Sequence, residues 1–137
     1  MKVKIKKLHP DAVIPAYAKP GDAGMDLTAV SVSHDDFGNI CYGTGLAFEI
    51  PEGYVGLITS KSGLMLSGIT SRGTIDSSYR GSIRAVLYNS GSEAVKFEKG
   101  RKITQLVIVP CLLPEIELVN ELSETDRGDG GFGSTGE

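Results

Sequence analysis

The sequence predicts an all-β fold. Three observations carry this expectation. Apolar and polar residues alternate with a period of two along most of the chain. Glycine and proline punctuate that alternation about every eight to twelve residues. No stretch sustains the longer period of an extended amphipathic helix, and no internal repeat is present. Many short strands at this spacing make a barrel or a sandwich, jelly-roll forms included.

Val3-Lys4-Ile5-Lys6 alternates apolar and charged, as a half-buried strand does. Leu27 to Val32 starts the same way and then breaks. Gly45 to Ile50 reads as a strand ended by Pro51-Glu52-Gly53, and Tyr54 to Thr59 reads as the next; the turn between them predicts a hairpin. Ser62 to Leu66 suits a helical turn, with Ser60 or Ser62 as cap and Ser67-Gly68 as its end. Ser82 to Tyr88 is a strand closed by Asn89-Ser90-Gly91, and Ala94 to Phe97 is a short one before the turn Glu98-Lys99-Gly100. Ile103 to Val109 is almost wholly apolar, as in a strand buried on both faces. Pro110 and Pro114 interrupt, and Ile116 to Val119 predicts a last short strand. Further on, five glycines and a single aromatic, Phe132, leave no core periodicity. Residues 123–137 are therefore expected to form a mobile arm on a domain of residues 1–122.

A chain of 137 residues is long enough for one domain with a real core. A net charge of -3 gives no global electrostatic case for nucleic acid. No apolar run approaches the roughly 18 residues that span a membrane. Cys41 and Cys111 form no CxxC pair and no signal-peptide pattern opens the chain, so a reduced, cytoplasmic or otherwise intracellular setting is expected. His9 and His34 stand in polar contexts without a partner at ligand spacing, as surface histidines do.

Five groups carry possible chemistry. Gly73-Thr74-Ile75-Asp76-Ser77-Ser78-Tyr79-Arg80-Gly81 sets a carboxylate at the end of an extended segment, where a turn holds it rigidly yet within reach. The arm Arg127-Gly128-Asp129-Gly130-Gly131-Phe132-Gly133-Ser134-Thr135-Gly136 combines nest-forming glycines, hydroxyl donors and a guanidinium with one ring that can stack on a planar base. Ser60-Lys61-Ser62-Gly63 opens the helical turn, where free N–H groups and Lys61 attract an anion. Asp26, between Met25 and Leu27, can hold a hydrated metal ion. Gln105 lies in the most apolar strand, where a buried amide needs a partner or a ligand. Each group alone also has an ordinary structural reading, as a turn, a tail, a cap or a satisfied core amide.

In this order the groups resemble the five motifs of the trimeric dUTPase family: Ala23-Gly24-Met25-Asp26-Leu27, Ser60-Lys61-Ser62-Gly63-Leu64, the stretch from Gly73 to Gly81, Gly100-Arg101-Lys102-Ile103-Thr104-Gln105-Leu106, and the arm. The resemblance implies a distorted jelly-roll-like β-barrel with one very short helix and a flexible C-terminal arm. It implies hydrolysis of dUTP to dUMP and pyrophosphate with Mg²⁺, in homotrimers with sites between subunits. Asp76 would activate the attacking water by accepting its proton. Asp26 would be an outer-shell partner of a metal held mainly by phosphates and waters. Lys61, Ser62, Gly63 and Gln105 would contact phosphates. Thr70, Gly73, Thr74 and Ile75 belong to a hairpin that would receive uracil through its main chain, leaving cytosine's donors unpaired. Tyr79 would exclude a ribose hydroxyl, and Arg84 would stand near the base. Phe132 would cover uracil while Arg127, Ser134 and Thr135 close on the γ-phosphate, and Gly133 between them would also contact the substrate. An arm of roughly 15 residues reaches at most about 50 Å, enough for a neighbour's site.

The chain departs from the family pattern in three places. Lys61 stands where arginine is usual and loses its fork of donors. Arg101 stands where an acid is usual, and Thr70 where asparagine is common. Two other functions share this barrel: deamination of dCTP, which needs a glutamate near the base, and nucleotide-dependent binding of a regulatory protein partner.

Overall fold

The computed structural model describes residues 1–34, 36, 40–89, 97–134 and 136. Among these residues the strands are β1 (Lys4–Lys7), β2 (Gly24–Thr28), β3 (Ser31–His34), β4 (Ile40–Gly43), β5 (Leu46–Glu49), β6 (Tyr54–Thr59), β7 (Ile69–Ile75), β8 (Arg84–Asn89) and β9 (Lys102–Pro110), with one helix, α1 (Ser62–Met65). β1 pairs with β5, and the other strands form one sheet in the order β2-β9-β6-β7-β8-β4-β3.

The edges of that sheet, β2 and β3, are joined by Ala29 and Val30 alone. Two residues cannot cross seven strands spaced at about 4.8 Å, so the sheet curls until its edges meet. The link is bonded on both sides. Ala29 N–H donates to the Arg101 carbonyl at 2.9 Å, and Val30 N–H to the Gly43 carbonyl at 2.8 Å. The product is the all-β, jelly-roll-like barrel with one very short helix that the sequence predicts.

Two clusters fill it. Ala29, Tyr42, Ile69, Ala85, Phe97 and Ile103 form one, and Leu27, Leu46, Phe48, Ile50, Ile58 and Leu106 belong to the other. Burying a side chain of this size contributes about 1.5–3 kcal/mol. The only polar atom of the Tyr42 side chain is satisfied, since its hydroxyl accepts the Phe97 N–H at 2.9 Å.

The second cluster corrects one expectation. β5 and β6 do not form a hairpin across Pro51-Glu52-Gly53. β5 lies on β1, with Phe48 opposite Ile5, while β6 sits between β7 and β9. Leu46, Phe48 and Ile50 meet Ile58 and Leu106 through their side chains, so the turn is a corner between two sheets. Ile116–Val119 forms no strand either, with Ile116 94% and Leu118 97% exposed. Their alternation marks an extended amphipathic segment that pairs with no strand among the described residues. Of the strand expected at Ala94–Phe97, residues 94–96 lie outside the described residues, as do Ser90 and Gly91 of the turn before it.

β6 and β7 pair from Gly56 opposite Ile75 to Thr59 opposite Arg72. At the next rung a side chain replaces the main chain. Ser60 Oγ accepts the Ser71 N–H at 2.7 Å and donates to the Ser71 carbonyl at 3.0 Å. Ser71 Oγ meets Thr104 Oγ1 at 2.6 Å, and Thr104 Oγ1 donates to the Thr59 carbonyl at 2.8 Å. Ser60, spent in this way, does not cap α1; the cap position is Lys61, with no side-chain capping bond, and Ser62 is already inside the helix.

Thr104→Val keeps the shape and removes the hydroxyl that joins β6, β7 and β9. It should lower stability by about 1–3 kcal/mol, seen as an earlier urea midpoint; an unchanged midpoint would show that the hydroxyl chain contributes nothing.

Candidate active site

The loop after β6, the start of β7 and the start of β9 end around one open cavity of about 850 Å³. Lys61, Ser62, Gly63 and Gln105 line it together. Arg101 and Lys102 line it too. Lys102 lies inside the fourth motif but carries no functional signal in the sequence. A strand-edge lysine looks like an ordinary solvated charge, and only the fold sets it beside Asp26.

Asp26 lies opposite Gln105 in the β2–β9 ladder and is 8% exposed. Lys61 Nζ bonds its Oδ1, and Lys102 Nζ bonds its Oδ2 at 2.9 Å. Burial alone raises the pKa of this carboxyl. The hydrogen bonds and charges of Lys61 and Lys102 outweigh burial and hold it below the ordinary value. Gln105 Nε2 donates to the Ser60 carbonyl at 3.1 Å and so steadies the loop that carries Lys61. Its amide lies over Gly24, where a Cβ would be 2.7 Å from the Gln105 Cδ. A side chain at Gly24 would push the Gln105 amide out of this position.

The anion-attracting charge comes from the lysines more than from α1. In that short helix the Leu64 and Met65 N–H groups are already bonded to the Lys61 carbonyl. For a metal ion, no group of three or more His, Cys, Asp or Glu is clustered among the described residues, and both Asp26 oxygens carry ammonium partners. The donor set fits a divalent cation carried by a ligand's phosphates and waters, with Asp26 accepting from a bound water. It does not fit a metal held by protein ligands alone.

A second opening lies between β7 and β8. These strands pair only from Ile69–Asn89 to Ser71–Leu87. Beyond that they part, because Ile83 is bonded elsewhere. Its N–H donates to the Leu46 carbonyl at 2.8 Å, and its carbonyl accepts from Thr44 N–H at 3.1 Å and Thr44 Oγ1 at 2.8 Å. The parted edges line a cleft of about 270 Å³ with Thr74, Ile75, Asp76, Tyr79 and Arg84. A strand edge without a neighbour presents N–H and C=O groups to whatever enters. The hairpin expected over Thr70–Ile75 is thus a single strand, β7, whose hairpin partner is β8. Thr70 lies at its paired base opposite Tyr88, and Gly73 opposite Ile58 on the β6 side.

Asp76 is exposed at the tip, in the turn the sequence predicts, closed by Tyr79 N–H donating to the Asp76 carbonyl at 3.1 Å. The Tyr79 hydroxyl donates to the Ser82 carbonyl at 3.1 Å. Its ring lies against Gly81, where a Cβ would be 2.9 Å from the ring's Cε2. Arg80 folds back, its Nη1 donating to the Ser77 carbonyl at 2.6 Å. Ser60 of the cavity wall is bonded to Ser71, five residues before Asp76, so β7 keeps Asp76 about 16 Å from that wall at 3.3 Å per residue.

The arm's site residues gather with one another. Arg127, Phe132, Gly133 and Ser134 line a hollow of their own, and Arg127 Nε donates to the Gly130 carbonyl at 2.9 Å. Phe132 has a left-handed φ of 52° and a fully exposed ring. Thr135 lies outside the described residues.

Residues 11–136 match the dUTPase family model. The chain is 48% identical to the deoxyuridine 5'-triphosphate nucleotidohydrolase of Hydrogenobaculum sp., and 99% of each chain is covered. It is 49% identical to that of Nautilia profundicola, again over 99% of each. Among solved structures it is similar to a mutant dUTPase of Staphylococcus bacteriophage 80alpha with dUpNHpp, with a TM-score of 0.85, 30% identity and 99% of each chain covered. A mutant dUTPase from phage phi11 of S. aureus, described with a coordinated structural Mg(II) ion, gives a TM-score of 0.75 at 28% identity, covering 88% of this chain and 98% of the other.

A carboxyl whose folded pKa is depressed adds stability above its unfolded pKa and loses it as pH falls through the folded value. The stability lead of wild type over Asp26→Asn should therefore be full at neutral pH and shrink below the ordinary value of 3.8. Urea midpoints measured across acid pH check this; a constant lead would mean that Asp26 gains nothing from its lysines.

Proposed function

The chain belongs to the dUTPase family and is a nucleotidohydrolase, and from that premise we propose that it hydrolyses dUTP to dUMP and pyrophosphate at a site completed by other copies of itself. The observation that carries this reading is the division of the site along β7. The cavity with Lys61, Lys102 and Gln105 suits a triphosphate. The cleft beside Asp76 suits a pyrimidine edge and its sugar. About 16 Å of strand keeps one chain's Asp76 from its own cavity wall, whereas a second copy can supply it. A homotrimer with sites between subunits meets this need. The exposed apolar side chains of Leu112, Leu113, Ile116 and Leu118 offer surface for such an assembly.

In the assembled site, Asp76 of the partner subunit takes a proton from a water. The water oxygen bonds to the α-phosphorus as the bond from that phosphorus to the bridging oxygen breaks, and pyrophosphate leaves with the electron pair. Lys61 and Lys102 offset the phosphate charge that repels the nucleophile. Ser62 and Gly63 contact the α- and β-phosphates, and Gln105 has a second amide N–H for a phosphate oxygen. Asp26 would hold a water of a Mg²⁺ ion brought with the triphosphate, and that ion would supply further charge neutralisation. The main chain of Gly73, Thr74 and Ile75, beyond the paired rung of Thr70, reads the uracil edge, Tyr79 bars a 2′-hydroxyl, and Arg84 stands by the base. The arm, residues 123–137, closes over the site, with Phe132 on uracil and Arg127, Gly133, Ser134 and Thr135 toward the γ-phosphate. No glutamate lines the cleft among the described residues, which favours hydrolysis over deamination of dCTP.

Asp76→Asn should cut kcat for dUTP by about 10²–10⁴-fold, measured as pyrophosphate release with Mg²⁺; an undiminished rate would remove Asp76 from the mechanism. Deleting residues 127–137 should cripple turnover while the thermal melt of the barrel stays in place. Full activity without them would disprove the closing role.

A further inference from the structure

We propose that Arg101 is a third cation of the phosphate cavity and governs the grip on the pyrophosphate end of the substrate. This rests on reading the cavity as the triphosphate site. Lys61 and Lys102 share one carboxylate, Asp26, so these three groups together leave a single positive charge. Arg101 is held differently. Its guanidinium lies over the Phe97 ring, 5.2 Å from the centroid, and a ring face orients a cation without cancelling its charge. The ring is itself fixed, being 7% exposed, with the Phe97 N–H bonded to the Tyr42 hydroxyl. The Arg101 main chain is fixed as well, its carbonyl accepting the Ala29 N–H at the barrel seam.

Arg101 therefore doubles the net positive charge on the cavity wall. It also brings a planar fork of donors that matches phosphate oxygens in pairs, which neither lysine can do. The group that gains most is one with adjacent charged phosphates. Pyrophosphate, as the end of dUTP and as the released product, has them; dUMP does not. Arg101 is a binding residue in this scheme, and its effect falls on affinity for substrate and leaving group.

The test is calorimetric titration of wild type, Arg101→Gln and Arg101→Glu with inorganic pyrophosphate and separately with dUMP, alongside steady-state hydrolysis of dUTP. Pyrophosphate affinity should fall about threefold in Arg101→Gln and about tenfold in Arg101→Glu, a modest loss because the side chain is solvent-exposed. Affinity for dUMP should change less than twofold, and KM for dUTP should rise by more than kcat falls. Added salt should narrow the gap between wild type and Arg101→Glu. Arg101→Lys, which keeps the charge and loses the fork, should fall between wild type and Arg101→Gln. Unchanged pyrophosphate affinity in both charge-removing variants would overturn the inference, and so would equal losses for pyrophosphate and dUMP. Either result with a wild type that hydrolyses dUTP leaves the functional reading standing; a wild type that does not hydrolyse dUTP overturns that reading instead.

Discussion

The shortness of the link between β2 and β3 governs the rest of the molecule. Two residues connect strands at opposite edges of the larger sheet, and the sheet has to close. The seam that results is also what fixes the start of β9. Ala29 donates to the Arg101 carbonyl and accepts the Gly100 N–H at 2.7 Å. Arg101, Lys102 and Gln105 follow directly from that seam, so two of the cavity's three cations, Arg101 and Lys102, are placed by the closure of the barrel. On the far side of the same curl, β8 holds to β4 while β7 holds to β6, and the two part after a few rungs. A flat sheet would have zipped β7 to β8 along their length and left no cleft.

Among the described residues, Thr59 Oγ1 is the one fully buried side-chain polar atom without a hydrogen-bond partner, and the others are satisfied. A buried carboxylate without partners costs several kcal/mol, and Asp26 takes two ammonium groups in answer. That arrangement also holds both lysines over the cavity, ready for an anion. The Ser60 hydroxyl stands in for a main-chain rung, which lets β6 end abruptly without orphaning the N–H and C=O of Ser71. The loop Lys61–Gly63 therefore leaves the sheet at a defined point.

Features that depend on local pattern were legible in the sequence. The strand Tyr54–Thr59, the single helical turn and the turn at Asp76 follow from alternation, leucine-methionine composition and Asx chemistry within a few residues. Pairing partners were not legible, because they depend on contacts distant in sequence. The face-to-face packing of β5 on β6 looked like a hairpin for that reason. Ser60 looked like a helix cap, because a serine before a helix does not reveal a competing strand edge. Of the site, Lys61, Ser62, Gly63 and Gln105 were named together and lie together. Lys102 was missed because its importance lies in reaching a carboxylate on β2. The separation of Asp76 from that group was also hidden, since motif order along a chain does not give distances across a barrel.

The stretch after β9 has a bearing on how an unassembled chain behaves in solution. Leu112, Leu113, Ile116, Leu118 and Leu122 are each more than four-fifths exposed. An extended run of such side chains is what stacking into a cross-β aggregate requires. Here the run is broken by Pro114, and Glu115, Glu117 and Glu121 stand among its apolar residues. Stacked in register, identical copies would set each glutamate on its own image and place like charges about 4.8 Å apart. A surface of different composition imposes no such repulsion. The segment is thereby guarded against its own kind in the stacked form while it keeps its apolar side chains available for packing.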